Sequence, residues 1–316
     1  MSGQEAVFQA FTAEQAANYA IGRANSYPEI LYQSILSYHQ GPRDLLLDVG
    51  TGPGMVVWDL LKQHFRSAIG CDASPGMIAH AKQDAEKFGL AGRTTFTVTG
   101  AEDCAAAVSG PAGSGSSGGV VDLVTVGTAA HWFDLPAFYR SAAQALRSGG
   151  TLAMWIPSSS YVHPSVPHAR EIQAVMSDLE DTVLRPYYQK GSLYARHGYD
   201  DLPLPWDGAD GEAVATFDKA SFKRVQWDRE GLPSAPPLPD GSPGPFLFGR
   251  EMTFKQAEKA LSTSSSVIRW REAHPDKAGT EEDVVKIMIK RVRDIAGDID
   301  RITIAPSCTL LLMWKA

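Results

Sequence analysis

The stretch LLLDVGTGPG, residues 45–54 of a 316-residue chain, decides how the first half of the sequence is read. Leu45, Leu46, Leu47 and Val49 make a short apolar run of the kind that forms a parallel strand covered on both faces. Gly50, Gly52 and Gly54 then allow a sharp turn in which a ligand can lie against the main chain where a Cβ would collide. After Pro53, VVWDLLKQHF resumes apolar positions at helical spacing, so the stretch predicts strand, glycine turn and helix.

The turn is G-x-G-x-G with Asp48 two residues ahead of it. The dinucleotide fingerprint G-x-G-x-x-G presents a bare helix N-terminus to a pyrophosphate and has no use for a carboxylate there. An acid in that place suits a cation instead, and the ammonium of a methionine moiety is the obvious one. Taken alone, a glycine-rich turn is also compatible with a plain tight connection.

The next segments repeat the pattern. SAIGCDASPGM, residues 67–77, predicts a second strand ending at Asp72 and a helix starting at Ser-Pro. An acid about 20 residues after a glycine turn is where nucleoside-binding sheets hold a ribose diol. Asp72 fits that role with Ala73 beside it, and Met77 could cover an adenine face, although helix capping and core packing are the plainer readings. TTFTVTGAEDC, residues 94–104, predicts a third strand with Ala101 and Glu102 at its end, placed to read an adenine edge. VVDLVTVGTAAHWFD, residues 120–134, gives a fourth strand and its exit loop, with Gly127 at the strand end, and LRSGGTLAMWI, residues 146–156, a helix end, a glycine turn and a fifth strand. Strands alternating with helices imply a parallel sheet whose ligand sits at the carboxyl ends of the strands.

The ordered set DVGTGPG, CDASPGM, GAED, HWFD and LRSGGTLA, within residues 45–155, resembles the class I S-adenosylmethionine-dependent methyltransferases. The resemblance implies an α/β fold with a Rossmann-like, seven-stranded, mostly parallel sheet and a helical cap. Its implied cofactor is S-adenosyl-L-methionine, with S-adenosyl-L-homocysteine as product. The cofactor set is then Tyr19, Arg23, Asp48, Gly50, Thr51, Gly52, Asp72, Ala73, Met77, Ala101, Glu102 and Gly127. NYAIGRANSYP at 18–28 and AHWFD at 130–134 are similar to the trans-aconitate methyltransferase-like small-molecule branch, and LSTSSSVIRWRE at 261–272 less closely to its late cap helix. Ala24 stands where that branch usually has proline after the arginine.

The expected organisation is an N-terminal helical cap segment at 1–40, a cofactor-binding core at 41–156, and a helical substrate cap at 157–316 inserted around the last two strands. A sixth strand is expected near residues 221–229 and a final antiparallel one at TLLLMWK. Between them lie GLPSAPPLPDGSPGP at 231–245, read as a stiff crossover loop, and one or two helices in FKQAEKALSTSSSVIRWREAH. EEDVVKIMIKRVRDIAG sets Val284, Val285, Met288, Val292 and Ile295 on one helical face. SGPAGSGSSGG at 109–119 reads as a surface loop.

Composition fits a soluble cytoplasmic enzyme: 44% apolar, 21% charged, with no basic apolar leader and no run of ~20 apolar residues. A net charge of −7 argues against nucleic acid, and Cys71, Cys104 and Cys308 have no metal or disulfide spacing. The expected partner is a small-molecule substrate, with no nucleic acid and no membrane, and the chain a monomer or homodimer. His131 is the candidate general base, or else an orienting group. Tyr27, Trp132, Trp155, Tyr161, Arg269 and Trp270 are the candidate substrate contacts. No metal is expected, since HWFD offers Asp134 alone as an acid. The favoured reaction is O-methylation of a carboxylate or hydroxyl of an organic acid or secondary metabolite. A non-methylating use of the same pocket, such as cyclisation or dehydration, and a cofactor-binding regulator are the alternatives.

Overall fold

The computed structural model describes residues 27–109, 119–208 and 216–316. Tyr19, Arg23 and most of the glycine-serine run therefore lie outside the described residues. The chain divides into two compact units, the first formed by residues 1–156, 199–225 and 309–316, the second by 157–198 and 226–308.

In the first unit, α1 (Glu29–Tyr38) is followed by β1 (Leu45–Val49), α2 (Met55–Gln63), β2 (Ser67–Asp72), α3 (Pro75–Lys87), β3 (Thr94–Val98) and α4 (Cys104–Ser109). Then come β4 (Val121–Gly127), α5 (Leu135–Ala145) and the start of β5 (Leu146–Val162). β1 pairs in parallel with both β2 and β4, β2 with β3, and β4 with β5. Leu46, Leu47, Val49 and the run Val121–Val126 are buried, as both-face coverage of a parallel sheet demands. Ser74 caps α3 through the Met77 amide with Pro75 in the first turn, and Asp134 caps α5 through the Ala137 amide.

The strand order is β3-β2-β1-β4-β5-β8-β6, where β6 is Lys223–Trp227 and β8 is Arg301–Trp314. Backbone bonds join Gly149 and Gly150 to Lys315, and His163 to Thr303, so β8 runs antiparallel to β5. The order reverses beside β1, between it and β4, which makes the carboxyl ends of those two strands the switch point where α/β sheets take their ligands.

Three features differ from the sequence reading. β5 continues through Pro157 to Val162, and β8 starts at Arg301, well before TLLLMWK. An eighth strand, β7 (Arg250–Thr253), pairs antiparallel with the first residues of β8, Met252 opposite Ile302. Pro157 and Pro306 hid the long strands, since an internal proline removes a ladder donor and reads as a break.

The second unit is mostly helical. It holds α6 (Ala169–Leu179), a π turn at Glu180–Leu184, α7 (Lys190–Arg196), α8 (Phe254–Leu261), α9 (Ser265–Ala273) and α10 (Val284–Ala296). Ile172, Met176, Phe254, Val267, Met288 and Val292 belong to its core. On α10, Ile289 and Ala296 join the buried face, whereas Ile295 packs at its margin. The Arg271 guanidinium grips the buried Asp283 carboxylate at 2.7 and 3.1 Å, and that carboxylate also accepts from the Gly279 and Val285 amides. Against the cost of burial, this pairing holds the Asp283 carboxyl below the usual range. The proline-rich loop is pinned near both ends: the Ser234 amide donates to Asp228, and His163 Nε2 bonds the Gly244 carbonyl.

Candidate cofactor site at the ends of β1, β2 and β4

Asp48 is the fourth residue of β1 and is 1% exposed. Its Oδ1 accepts from the Thr125 hydroxyl of the neighbouring β4 at 2.7 Å. Its Oδ2 and the Thr51 hydroxyl are both buried with no well-aligned hydrogen-bond partner among the described residues, although the hydroxyl stands close enough to favour the ionised carboxyl. Burial pushes the Asp48 carboxyl up to about 7, with the Thr125 and Thr51 hydroxyls pulling the other way. A buried carboxylate lacking a partner is costly, and a cation supplied from outside relieves that cost.

The glycines beside it divide into two kinds. A Cβ on Gly50 would meet the Ala129 Cβ at 2.6 Å, and one on Gly54 would meet the Trp58 ring at 2.7 Å, so both serve the packing of the protein. Gly52, at φ +53, would have nothing within 4 Å of its Cβ. The open face of the turn is therefore at Gly52, where a ligand can approach the backbone.

Asp72 fixes that turn in place. Its Oδ2 accepts from the Gly52 amide at 2.9 Å and its Oδ1 from the Ser74 amide at 2.8 Å, so the carboxylate ties the end of β2 to the tip of the glycine loop. Burial raises its pKa, while the two amides favour the ionised form. Each oxygen retains acceptor capacity for a further donor such as a hydroxyl. Ala73 is exposed, whereas Met77 is 4% exposed, on the buried face of α3. Ala101 is buried in a short 3-10 turn after β3, and Glu102 of that turn accepts from the Asp134 amide at 3.0 Å, linking the exits of β3 and β4.

The β4 exit gathers the aromatic residues. At Gly127 a Cβ would strike the Trp155 ring at 2.8 Å. Thr128 follows at φ +61, a left-handed conformation that threonine rarely adopts, and its hydroxyl bonds the Tyr27 hydroxyl at 2.8 Å. Tyr27 meets Trp155 edge to face at 5.3 Å, and Trp155 is fully buried with its Nε1 lacking a partner among the described residues. His131 and Trp132 lie in the 3-10 turn Ala130–Trp132, partly exposed, with ring centroids 4.5 Å apart. His131 Nδ1 is 3.1 Å from the Tyr199 hydroxyl, a residue that sequence reasoning missed. A lone tyrosine after a glycine, 68 positions away, carries no periodic signal.

The remaining predicted residues fall in the second unit. Tyr161 is half-buried against Gly231, and burial raises its phenol pKa. Arg269 donates to the Tyr187 carbonyl at 2.7 Å and reaches the Ser192 and Ser265 hydroxyls, bracing the unit. Trp270 stacks on His274 within the unit's core, 6% exposed. Among the described residues no group of three or more His, Cys, Asp or Glu side chains comes together as a metal site. Nor is any described helix long and apolar enough to cross a membrane.

Residues 46–150 match the family of methyltransferase domains. The chain is 36% identical over 179 residues to a putative methyltransferase of Dictyostelium discoideum, a match covering 56% of this chain and 59% of that protein. To the probable S-adenosylmethionine-dependent methyltransferase CRG1 of Saccharomyces cerevisiae it is 24% identical over 281 residues, 85% of this chain and 84% of CRG1. Methyltransferase pgmE of Aspergillus terreus is 30% identical over 162 residues, 49% of this chain and 45% of pgmE. The chain thus spans about half the length of the first and third of these relatives. A solved structure of a putative type II methyltransferase from Anaeromyxobacter dehalogenans aligns with a TM-score of 0.59 at 19% identity, over 91% of this chain and 95% of that one. That likeness speaks to the fold.

Sheet order, switch-point site and family match together define the Rossmann-like fold of the class I methyltransferases. Residues 46–150 match a methyltransferase domain, and the cofactor that this match implies is S-adenosylmethionine. The residues present fit that cofactor: an orphaned buried carboxylate oxygen for the ammonium, an open glycine face, and acids at the ends of β2 and β3.

Proposed function

We propose that the chain moves the methyl group of S-adenosylmethionine to an oxygen of a small molecule, an organic acid or secondary metabolite, as the trans-aconitate methyltransferase-like branch does. The supporting observation is Asp48, a buried acid with one oxygen unpartnered among the described residues and an open glycine face four residues on. When bound, the cofactor supplies a methyl carbon on a positive sulfur, which passes to an oxygen lone pair as the carbon–sulfur bond breaks and its electrons go to sulfur.

The chain's part is to hold both reactants and keep water away. Asp48 pairs with the ammonium, Gly52 lets the backbone lie close, Asp72 keeps the loop in register and offers acceptors to a ribose, and Glu102 sits where an adenine edge falls. Tyr27 and Trp132 supply apolar surface around the β4 exit, with Trp155 packed behind Tyr27. His131 faces the acceptor from the same exit loop. An ionised carboxylate acceptor releases no proton on transfer, whereas a hydroxyl releases one.

Incubation with methyl-labelled cofactor and a panel of carboxylic acids and phenols tests the reading. Labelled ester or ether is the expected product, together with one equivalent of S-adenosylhomocysteine. Product that carries no label would sink it.

A further inference from the structure

Tyr199 belongs to the returning segment 199–225 of the first unit and is fully buried. Its backbone is left-handed, at φ +61, which is unfavourable for a bulky residue and persists only where the surroundings impose it. Those surroundings are visible. Gly198 precedes it, also at φ +61, while Arg224 donates to the Tyr199 carbonyl at 3.0 Å and pairs with Asp200 at 3.1 Å. The strain aims the phenol at the β4 exit, where its oxygen stands 3.1 Å from His131 Nδ1 and the two rings are 6.0 Å apart at 48°. A second strained residue, Thr128, lies three positions before that histidine.

A phenol has a single hydrogen. Burial keeps the phenol un-ionised, so it retains that hydrogen. Were Nδ1 to donate, the phenol hydrogen would be left in a buried place with no acceptor among the described residues. Donation from Tyr199 to Nδ1 satisfies both groups. The nitrogen that accepts carries no hydrogen, so the neutral imidazole has its hydrogen on Nε2.

We propose that Tyr199 is a positioning residue that fixes His131 as the Nε2–H tautomer, so that the imidazole presents a hydrogen-bond donor to the acceptor oxygen; this rests on the methyltransferase reading above. In that state His131 orients an oxygen lone pair toward the methyl carbon, and proton removal is not its task.

Nitrogen-15 NMR of the full chain labelled at histidine side chains tests this without turnover. His131, assigned by the signal lost in His131→Asn, is expected to show an unprotonated Nδ1 and a protonated Nε2. Tyr199→Phe should mix the two tautomers and lower kcat about tenfold, the scale of one neutral hydrogen bond, with the KM for cofactor changed less than twofold. A protonated Nδ1 in the wild-type chain would overturn the proposal even if the phenylalanine variant failed to fold. So would a variant that retained both the tautomer and kcat. The stated tautomer in a chain that methylates no acceptor would instead contradict the proposed function alone.

Discussion

The two units differ in how completely their buried polar groups are satisfied. In the second, Asp283 has Arg271 and two amides, Asp228 takes the Ser234 and Phe248 amides, and His163 bonds Ser165 and Gly244. The first holds satisfied groups too, such as Asp122 with two amides and Arg147, but there Asp48 Oδ2, the Thr51 hydroxyl and the Nε1 atoms of Trp155 and Trp314 are buried with no well-aligned partner among the described residues. A folded chain rarely tolerates such atoms unless something else satisfies them. Satisfied groups brace the fold, whereas the unsatisfied ones at the ends of β1 and β4 are where the proposed ligand would complete the structure.

The largest expected effect breaks the scaffold side of this contrast. Asp283→Ala leaves the Arg271 guanidinium without its buried partner, and such losses cost about 3–5 kcal/mol. Denaturant unfolding should show that loss, while cofactor affinity measured on the folded fraction stays within twofold. Because the folded pKa of Asp283 is lowered, its contribution is present above the unfolded value and is lost as pH falls through the folded one. Acid unfolding of the wild-type chain should therefore lose this contribution below about pH 4.

On the binding side, Asp72→Ala removes both the Gly52 and the Ser74 amide bonds. At about 1 kcal/mol each, cofactor affinity should fall roughly 10- to 30-fold by calorimetry, from loosening of the turn and loss of the ribose acceptors together. Unchanged affinity would mean that the turn is held by other means. The smallest effect sharpens the contrast through pH. Asp48 has a folded pKa raised to about 7, so the stability it gives the cofactor-free chain is complete below its unfolded value and is lost as pH rises to about 7. Thermal melts of Asp48→Asn should not show this decline, and near pH 8 the variant should melt several degrees above wild type.

Much of the first unit was readable because its chemistry repeats in a short span. Each strand end from β1 to β4 has an apolar run followed by an acid or glycine within a few residues, and Asp48, Asp72, Glu102 and Gly127 all fall there. The separate duties of the glycines were not readable, since they depend on Ala129 and Trp58 arriving from elsewhere in the fold. Arg269 and Trp270 looked like pocket residues in a linear motif, yet Arg269 braces Tyr187 and Trp270 packs in a core. A buried helix face and a substrate wall have the same composition, and partners decide between them. Tyr199 shows the converse: its contact with His131 comes from tertiary structure and backbone strain, neither of which leaves a spacing in the sequence.

In the proposed function Asp48 receives the cofactor's ammonium. Calorimetric titration of S-adenosylmethionine into the wild-type chain and Asp48→Asn, at pH 6 and pH 8, tests it most directly. An ammonium favours the ionised acid, so wild-type affinity should rise about tenfold over that range as a group near 7 ionises, with proton release on binding. The asparagine variant should bind about 10- to 100-fold more weakly at pH 8, the loss of one hydrogen bond to a charged group, with no such rise. Equal affinity in the two proteins, or no binding to the wild-type chain, would contradict the claim.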